Sequence, residues 1–496
     1  MQSIPSSRSS PTSLAVDARR TPRRITHLWL WAGLEALVAF ALAMFRINSR
    51  SVWYDEGVSA MATGSSWGVV EHVARTFDPN MSGYHVLLHL WRGVFGNSEA
   101  ALRSLSAVAF AAAVLMIVAL GRRLHDARTG LVAGLLLAVS PFVVRYGQEM
   151  RSYALEVFMV TTITYLFVRV VDADDPAADR AWPAIAYGAA TAFGCYVHLY
   201  TVFVVAAQVA SLALFDPARI PWARLRRSAR WFAVLIVPML VWLAADPSEQ
   251  LGWIARPSPL DFLRVASEIV GGGLVSLLLF ALVASVVVGF ARTFTRDWRT
   301  RPQWADGLGL VWLLVPFVLS ALVSTVVKPI FLSRYMIVVV PAVALLAASA
   351  LTRLRARRIA IGALGVILIG SLVTVDRGYG GNKTNWRDAV DYLAAYATPN
   401  DGVVICPAKA RLPVTYYVTR KIPSALRPIP LSPGGQWGSF RVRRVSKVTA
   451  AGWLSRGPEH IWVLGKQYRC DFTFPGREHR VSVGFTGTFV ERFDRG

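Results

Sequence analysis

The chain has 496 residues, 54% of them hydrophobic and only 17% charged, with a mean hydropathy of +0.44, too apolar for a soluble protein of this length. A net charge of +23 would point to nucleic acid in a soluble chain. Here the arginines cluster between apolar stretches, where they set membrane topology and meet anionic headgroups, so nucleic acid is excluded as a partner.

Residues 1–26 are Ser-rich and Arg-rich (Arg19, Arg20, Arg23, Arg24), a composition expected to stay disordered and on the cytoplasmic side. His27 to Phe45 is the first span, and about nineteen apolar residues suffice for an uncleaved anchor. Directly after it comes RINSRSVWYDEGVSA, residues 46–60, where Asp55 and Glu56 stand beside Trp53 and Tyr54. An acidic pair just past a membrane span, flanked by aromatics that suit the headgroup layer, places a general base where lipid phosphate meets water. His72 to Phe95 is too polar to cross and reads as an interfacial helix on the outer surface.

Further spans are expected at 101–120, 130–144, 153–171, 182–196, 199–215, 230–245, 273–291, 307–326, 335–351 and 358–375, about eleven with the first. The connections GRRLHDAR, ARIPWARLRRSAR, ARTFTRDWRTR and TRLRARR all fall on the side of the N-terminus, as the positive-inside rule requires. The acidic DADDPAADR falls on that side as well, and aspartate weighs little in the rule. The outer side then holds the Asp55 loop, RYGQEMRSY, the turn at His198, segment 246–272 and VKPIFLSRY. Beyond Val375 an Asn-led helix, NWRDAVDYL, and strand-like runs such as HIWVLG and VGFTGTFVERF mark a small α/β domain. The expected fold is an all-α polytopic membrane protein of about eleven transmembrane helices with a small C-terminal extracytoplasmic α/β domain. The expected division is a tail over 1–26, a transmembrane domain over 27–375 containing a catalytic outer loop over 46–100, and a soluble domain over 376–496.

Three cysteines, Cys195, Cys406 and Cys470, lack the spacing of a metal site or a disulfide framework. An oxidising compartment would permit a bridge between Cys406 and Cys470. His85, His89 and His198 are isolated, which suits structural roles better than metal ligation. In SPFVVRYGQEMRSYAL, residues 140–155, Arg145, Gln148, Glu149, Arg151 and Tyr153 crowd one short outer connection. A Glu two residues from an Arg suggests a paired, oriented cation in a wet cavity, with Arg151 as a phosphate ligand. Arg334 stands at the outer mouth of the tenth span beside Tyr335, as a second phosphate ligand or an interfacial anchor. Trp386, Arg387 and Asp388 read as capping and docking the first helix of the soluble domain. No Walker A loop or strand-linked GxGxxG supports a nucleotide-sugar donor.

VWYDEGVSA after the first span, GYHVLLHLWRGVFGNSEAALRSLSA before the second, RYGQEMRSYAL after the third, SRYMIVVVP at the tenth and NWRDAVDYL together resemble the GT-C glycosyltransferases. More narrowly, they resemble the bacterial branch related to protein O-mannosyltransferases (family 39) and the lipid A aminoarabinose transferase. The resemblance covers roughly residues 28–200 and is looser beyond. It implies a GT-C-like fold, a polyprenyl-phosphate sugar donor, Asp55 as the catalytic base with Glu56 as its neighbour, and Arg151 and Arg334 on the donor phosphate. Gln148, Glu149 and Tyr153 would support the second motif, and Tyr54, Tyr84, His85 and His198 would line the cavity or the acceptor side. Ser82-Gly83 stands where many relatives carry Pro. In some relatives a divalent metal assists the phosphate, a task the two arginines can also perform.

The expected function is therefore transfer of mannose or an arabinose-like pentose to an envelope lipid, polysaccharide or protein, by inverting attack at the outer face of the cell membrane. The N-terminus would be cytoplasmic and the C-terminus extracytoplasmic. The rival readings are a lipid or sugar-lipid transporter and a non-catalytic envelope-assembly protein. A transporter would show repeat-related halves and broken helices at the midplane, whereas the ionisable groups here gather at one face.

Overall fold

The computed structural model describes residues 22–64, 66–76, 78–177, 179–214, 217–245, 254–297, 301–381, 384–431, 457–467, 474 and 476–496. Most of the tail expected over 1–26, and Cys470, lie outside the described residues. Helix α1 (Pro22–Met44) is the first span. The chain then passes through the short helices α2 (Tyr54–Thr63), α3 (Trp67–Thr76) and α4 (Ser82–Phe95) before the long α5 (Glu99–Leu124). The single interfacial helix expected over 72–95 is thus two helices, broken at Asp78-Pro79, because proline lacks the N–H that would continue the first. Ser98 caps α5 by accepting from the Ala101 N–H, and Asp126 caps α6 (Ala127–Ala138) by accepting from the Thr129 N–H.

Helices α6 and α7 (Pro141–Gly147) together are apolar and long enough for one span and meet at a 61° bend, with Pro141 opening the second half. There follow α8 (Tyr153–Val171), α9 (Trp182–Val197), α10 (Thr201–Ser211), α11 (Trp222–Ala245), α12 (Pro259–Ile269), α13 (Gly273–Asp297) and α14 (Arg301–Val326). A 3₁₀ stretch, Ser333–Val339, runs into α15 (Val340–Arg353), and α16 (Arg357–Gly378) ends the bundle. The eleven apolar segments read from the sequence all lie mainly on helix. Among the described residues eight helices are long and apolar enough to cross a membrane, or nine with the bent pair counted as one span. The remaining two, α9 and α10, have 16 and 11 residues, short of the roughly 20 that a bilayer core needs. Hydropathy counts apolar residues, whereas crossing requires them on one unbroken helix.

Helices α5, α8 and α15 form the buried centre, while α11, α13 and α16 turn apolar side chains such as Val234, Leu277 and Ile369 outward. Ionic contacts gather at the two ends of the bundle. At one end, Arg123 and Arg169 bind Asp175, Arg224 holds the Val170 and Asp172 carbonyls, and Arg353 pairs with Asp306. At the other end lie α2 and the C-terminal domain.

That domain comprises α17 (Trp386–Tyr396), β1 (Gly402–Cys406), α18 (Arg411–Lys421), β2 (Ile429–Pro430), β3 (His460–Lys466), β4 (Arg477–Phe485) and β5 (Thr488–Arg495). Asn385 caps α17 by accepting from the Asp388 N–H. The five strands run in the order β2-β1-β3-β5-β4, with β1 parallel to β2 and β3 and the β4–β5 hairpin antiparallel. Gly487, at φ 70°, supplies the left-handed backbone of the hairpin turn. Cys406 is disulfide-bonded and Cys195 is a free, buried thiol.

Candidate functional site

Consecutive residues on a helix point about 100° apart, so the two carboxylates that open α2 do different things. Glu56 points inward. Its Oε1 accepts from Arg103 Nε at 2.8 Å and from the Met150 N–H at 3.0 Å, while Oε2 accepts from Arg103 Nη2 at 2.7 Å. Both side chains are 1% exposed. With three of its roughly four acceptor positions filled inside the protein, Glu56, expected at the catalytic centre beside Asp55, anchors α2 to α5 and to the 148–152 loop. Arg103 went unsingled in the sequence, although a charged residue just inside an apolar span is itself a signal.

Asp55 points the other way, with Oδ2 3.2 Å from Arg334 Nη1 and the two side chains 17% and 18% exposed. Arg151 reaches the same spot: its Nη1 lies 3.3 Å from the Asp55 carbonyl, from Ser59 Oγ and from Asp78 Oδ2. The two arginines, distant in sequence, thus converge on Asp55. The expected partner of Arg151, Glu149, is not the one its guanidinium finds. Asp78 takes that role, because the turn at 148–152 directs Arg151 toward α2, while Glu149 adds its charge near Arg50. Burial works against the charge on Arg151, but Asp78, Tyr153 and Asp55 outweigh it and raise its pKa. Asp78 escaped the sequence reading, though it is an acidic residue in the same outer loop.

Aromatic rings frame the cations. The Arg334 guanidinium lies 6.0 Å from the Trp53 ring and 5.5 Å from Tyr335, and that of Arg151 lies 6.0 Å from Tyr153. Tyr54 is half-buried beneath Lys409 of the C-terminal domain, 5.6 Å away. Burial, reinforced by Asp55 and Asp78, raises its phenol pKa. Gln148 donates to the Phe45 carbonyl at 2.7 Å and ties the loop to the end of α1.

Tyr84, His85 and His198 do not line an open cavity. All three are fully buried, because α4 and the turn after α9 pack them against one another's helices behind the arginines. Tyr84 pairs with Ser106 Oγ at 3.4 Å, His85 Nε2 lies 3.5 Å from Asp78, and His198 Nδ1 lies 3.4 Å from Glu156. Burial drives the His85 pKa down to about 4, against the pull of Asp78. Behind the 148–152 loop lies a cavity of about 290 Å³, lined by Arg50, Arg145, Gln148 and Glu268 against apolar walls from Phe142 and Val375.

Among the described residues no three His, Cys, Asp or Glu side chains gather as metal ligands. Asp55 and Asp78 are each engaged by an arginine, so this donor set does not fit a resident divalent metal.

Comparison with known proteins bears on this arrangement. Residues 82–244 match the family described as dolichyl-phosphate-mannose-protein mannosyltransferase. No curated relative matches the sequence. ArnT from Cupriavidus metallidurans bound to undecaprenyl phosphate is 14% identical with a TM-score of 0.66, covering 93% of this chain and 98% of its own. The same protein in the apo state reaches a TM-score of 0.68 at 14% identity, over 95% and 98% of the two chains. The Archaeoglobus fulgidus oligosaccharyltransferase tethered with an acceptor peptide has a TM-score of 0.53 at 13% identity, over 89% and 69%. The resemblance carried by the motifs around Asp55, Arg151 and Arg334 is thus matched by the path of the whole backbone, and the chain has a GT-C-like fold whose described residues include eight or nine candidate membrane spans.

Proposed function

We propose that the protein is a membrane glycosyltransferase that moves a sugar from a polyprenyl-phosphate donor to a hydroxyl acceptor, with Asp55 as general base. The observation that carries the reading is the convergence of Arg334 and Arg151 on Asp55, at 3.2 Å from its carboxylate and 3.3 Å from its carbonyl. Two fixed guanidiniums next to one partly exposed carboxylate match a reaction in which a phosphate leaves as an alcohol loses its proton. A donor phosphate entering between the arginines competes for Arg334 and releases Asp55. The acceptor oxygen then attacks the anomeric carbon as the bond from that carbon to the phosphate oxygen breaks. The acceptor proton passes to the Asp55 carboxylate, and the electron pair leaves on polyprenyl phosphate, which the arginines stabilise. One displacement inverts the anomeric centre.

Two similarities support a lipid-linked donor: the family matched over residues 82–244 is named for dolichyl-phosphate mannose, and ArnT binds undecaprenyl phosphate. Mannose is the first sugar to test and an arabinose-like pentose the second, with an envelope lipid, polysaccharide or protein as acceptor. In this reading residues 27–375 form the transmembrane domain and residues 376–496 the extracytoplasmic one, with the N-terminus cytoplasmic. The test is a panel of polyprenyl-phosphate sugars presented to the purified protein with Asp55→Asn as control. Release of polyprenyl phosphate that Asp55→Asn abolishes supports the reading. Equal release by both proteins, or none from any donor, rejects it.

A further inference from the structure

Four charged side chains, each paired with the next, link the C-terminal domain to the residue beside Asp55. Arg387, on the first turn of α17, donates to Glu99 from Nε at 3.1 Å and from Nη2 at 2.6 Å. Glu99 Oε2 also accepts from Arg103 Nη1 at 3.3 Å, one helical turn away on α5. Arg103 then grips both oxygens of Glu56, the residue after Asp55. Two arginines alternate with two carboxylates, so the series is neutral. It also dries inward, from 26% exposure at Arg387 and 13% at Glu99 to 1% at Arg103 and Glu56, so each step toward Asp55 is less screened by solvent. Arg103 Nη1 and Arg387 Nη2 both donate to the Arg50 carbonyl, at 2.9 Å and 3.0 Å, which closes a clamp on the segment leading into α2.

A second set of contacts holds the same helix to the same domain. The Tyr417 hydroxyl accepts from the Val52 N–H at 2.8 Å. A Cβ placed on Gly57 would lie 2.8 Å from the Pro413 nitrogen, so α2 and α18 meet backbone to backbone. Asp55 is therefore seated on a helix held between two domains.

We propose that Arg387 is a positioning residue for the site: through Glu99, Arg103 and Glu56 it sets where α2 carries Asp55, and makes the C-terminal domain part of the active geometry without touching substrate. Without Arg387, Glu99 keeps its ion pair with Arg103 and draws it off Glu56. The N-terminus of α2 then loosens, and the distance from Asp55 to Arg334 with it. The catalytic half of this inference rests on the glycosyl-transfer reading of Asp55; the mechanical half does not.

The test uses the full-length protein in lipid nanodiscs, comparing wild type with Arg387→Gln and Arg387→Lys. Hydrogen exchange over residues 54–63 is expected to speed about tenfold in Arg387→Gln while residues 402–406 and 460–466 keep their protection, and Arg387→Lys to recover most of it. Transfer from a polyprenyl-phosphate sugar is expected to lose about tenfold in kcat with little change in donor KM in Arg387→Gln, and to recover in Arg387→Lys. Unchanged exchange over 54–63 would overturn the proposal, as would a loss of protection confined to α17 or spread through the whole domain. Faster exchange over 54–63 in a protein whose wild type transfers no sugar would uphold the coupling and reject the enzymatic reading.

Discussion

Asp55 and Glu56 are neighbours in sequence with opposite environments, and their substitutions should fail in opposite ways. Asp55→Asn keeps the shape and hydrogen-bonding ability but removes the proton acceptor. Turnover is expected to fall about 10²-fold or more in a protein that melts normally and still binds donor. Glu56→Gln leaves the buried Arg103 charge to Glu99, 3.3 Å away, a loss of about 3 kcal/mol in stability, so its signature is a lowered melting temperature rather than a pure kcat effect. For Arg151 and Arg334, replacement by Ala is expected to cost about 2 kcal/mol of transition-state stabilisation, and Arg→Lys should also weaken donor use because lysine cannot grip phosphate in two places. If Arg334→Lys behaves as wild type, Arg334 is an interfacial anchor and the phosphate role passes to Arg151 alone. His85 gives a pH prediction. Its folded pKa of about 4 lies below the ordinary 6.5, so the unfolded chain takes up the proton first as pH falls. The stability from neutral His85 is complete above about pH 6.5 and is lost as pH falls toward about 4. His85→Gln should flatten that part of the melting-temperature profile.

Among the elements, α2 is the one whose seat decides the site, and its glycine is the most direct handle on it. Gly57 meets the backbone of Pro413 and Leu412, which cannot retreat as a flexible side chain would. Gly57→Ala is expected to push α2 off α18 and lower transfer about tenfold or more while the five-stranded sheet stays folded. Near-normal turnover in Gly57→Ala, with normal exchange over 54–63, would show that this contact does not set the site. The helix itself was legible only as an acidic pair after a span. What the local pattern could not show is that Asp78 and Arg103, rather than Glu149, complete the ion pairs. Partners at such sequence separations are chosen by how α4, α5 and the 148–152 loop pack, and no short-range periodicity encodes that.

For the whole molecule, the arrangement requires the C-terminal domain, Asp55 and the donor phosphate to share one face of the membrane. The contacts of α18 with α2 and of Arg387 with Glu99 place the domain and Asp55 at the same end of the bundle. In the proposed topology the arginine-rich connections at the other end face the cytoplasm. A cysteine introduced at Tyr396, which is 60% exposed, should react with a membrane-impermeant reagent in intact cells. Labelling only after the cytoplasm is opened would invert the topology and remove the proposed site from the outer face.

Composition and hydropathy by themselves pointed to the membrane class, the helical segments and a small α/β domain beyond the last long helix, which runs to Gly378. These follow from the cost of exposing peptide groups to lipid and from side-chain periodicity, both local properties of the chain. Asp55, Arg151 and Arg334, singled out in the sequence because charge is expensive beside a membrane, meet in the structure. Only the tertiary structure decided that α9 and α10 are too short to count as full spans, that Tyr84, His85 and His198 are buried, and that Glu56 is an anchor. Each of these depends on which surfaces the helices turn toward one another. Whether a carboxylate faces a partly exposed arginine or a buried one is set by a rotation of one residue about a helix axis, a difference that two adjacent acidic letters do not carry.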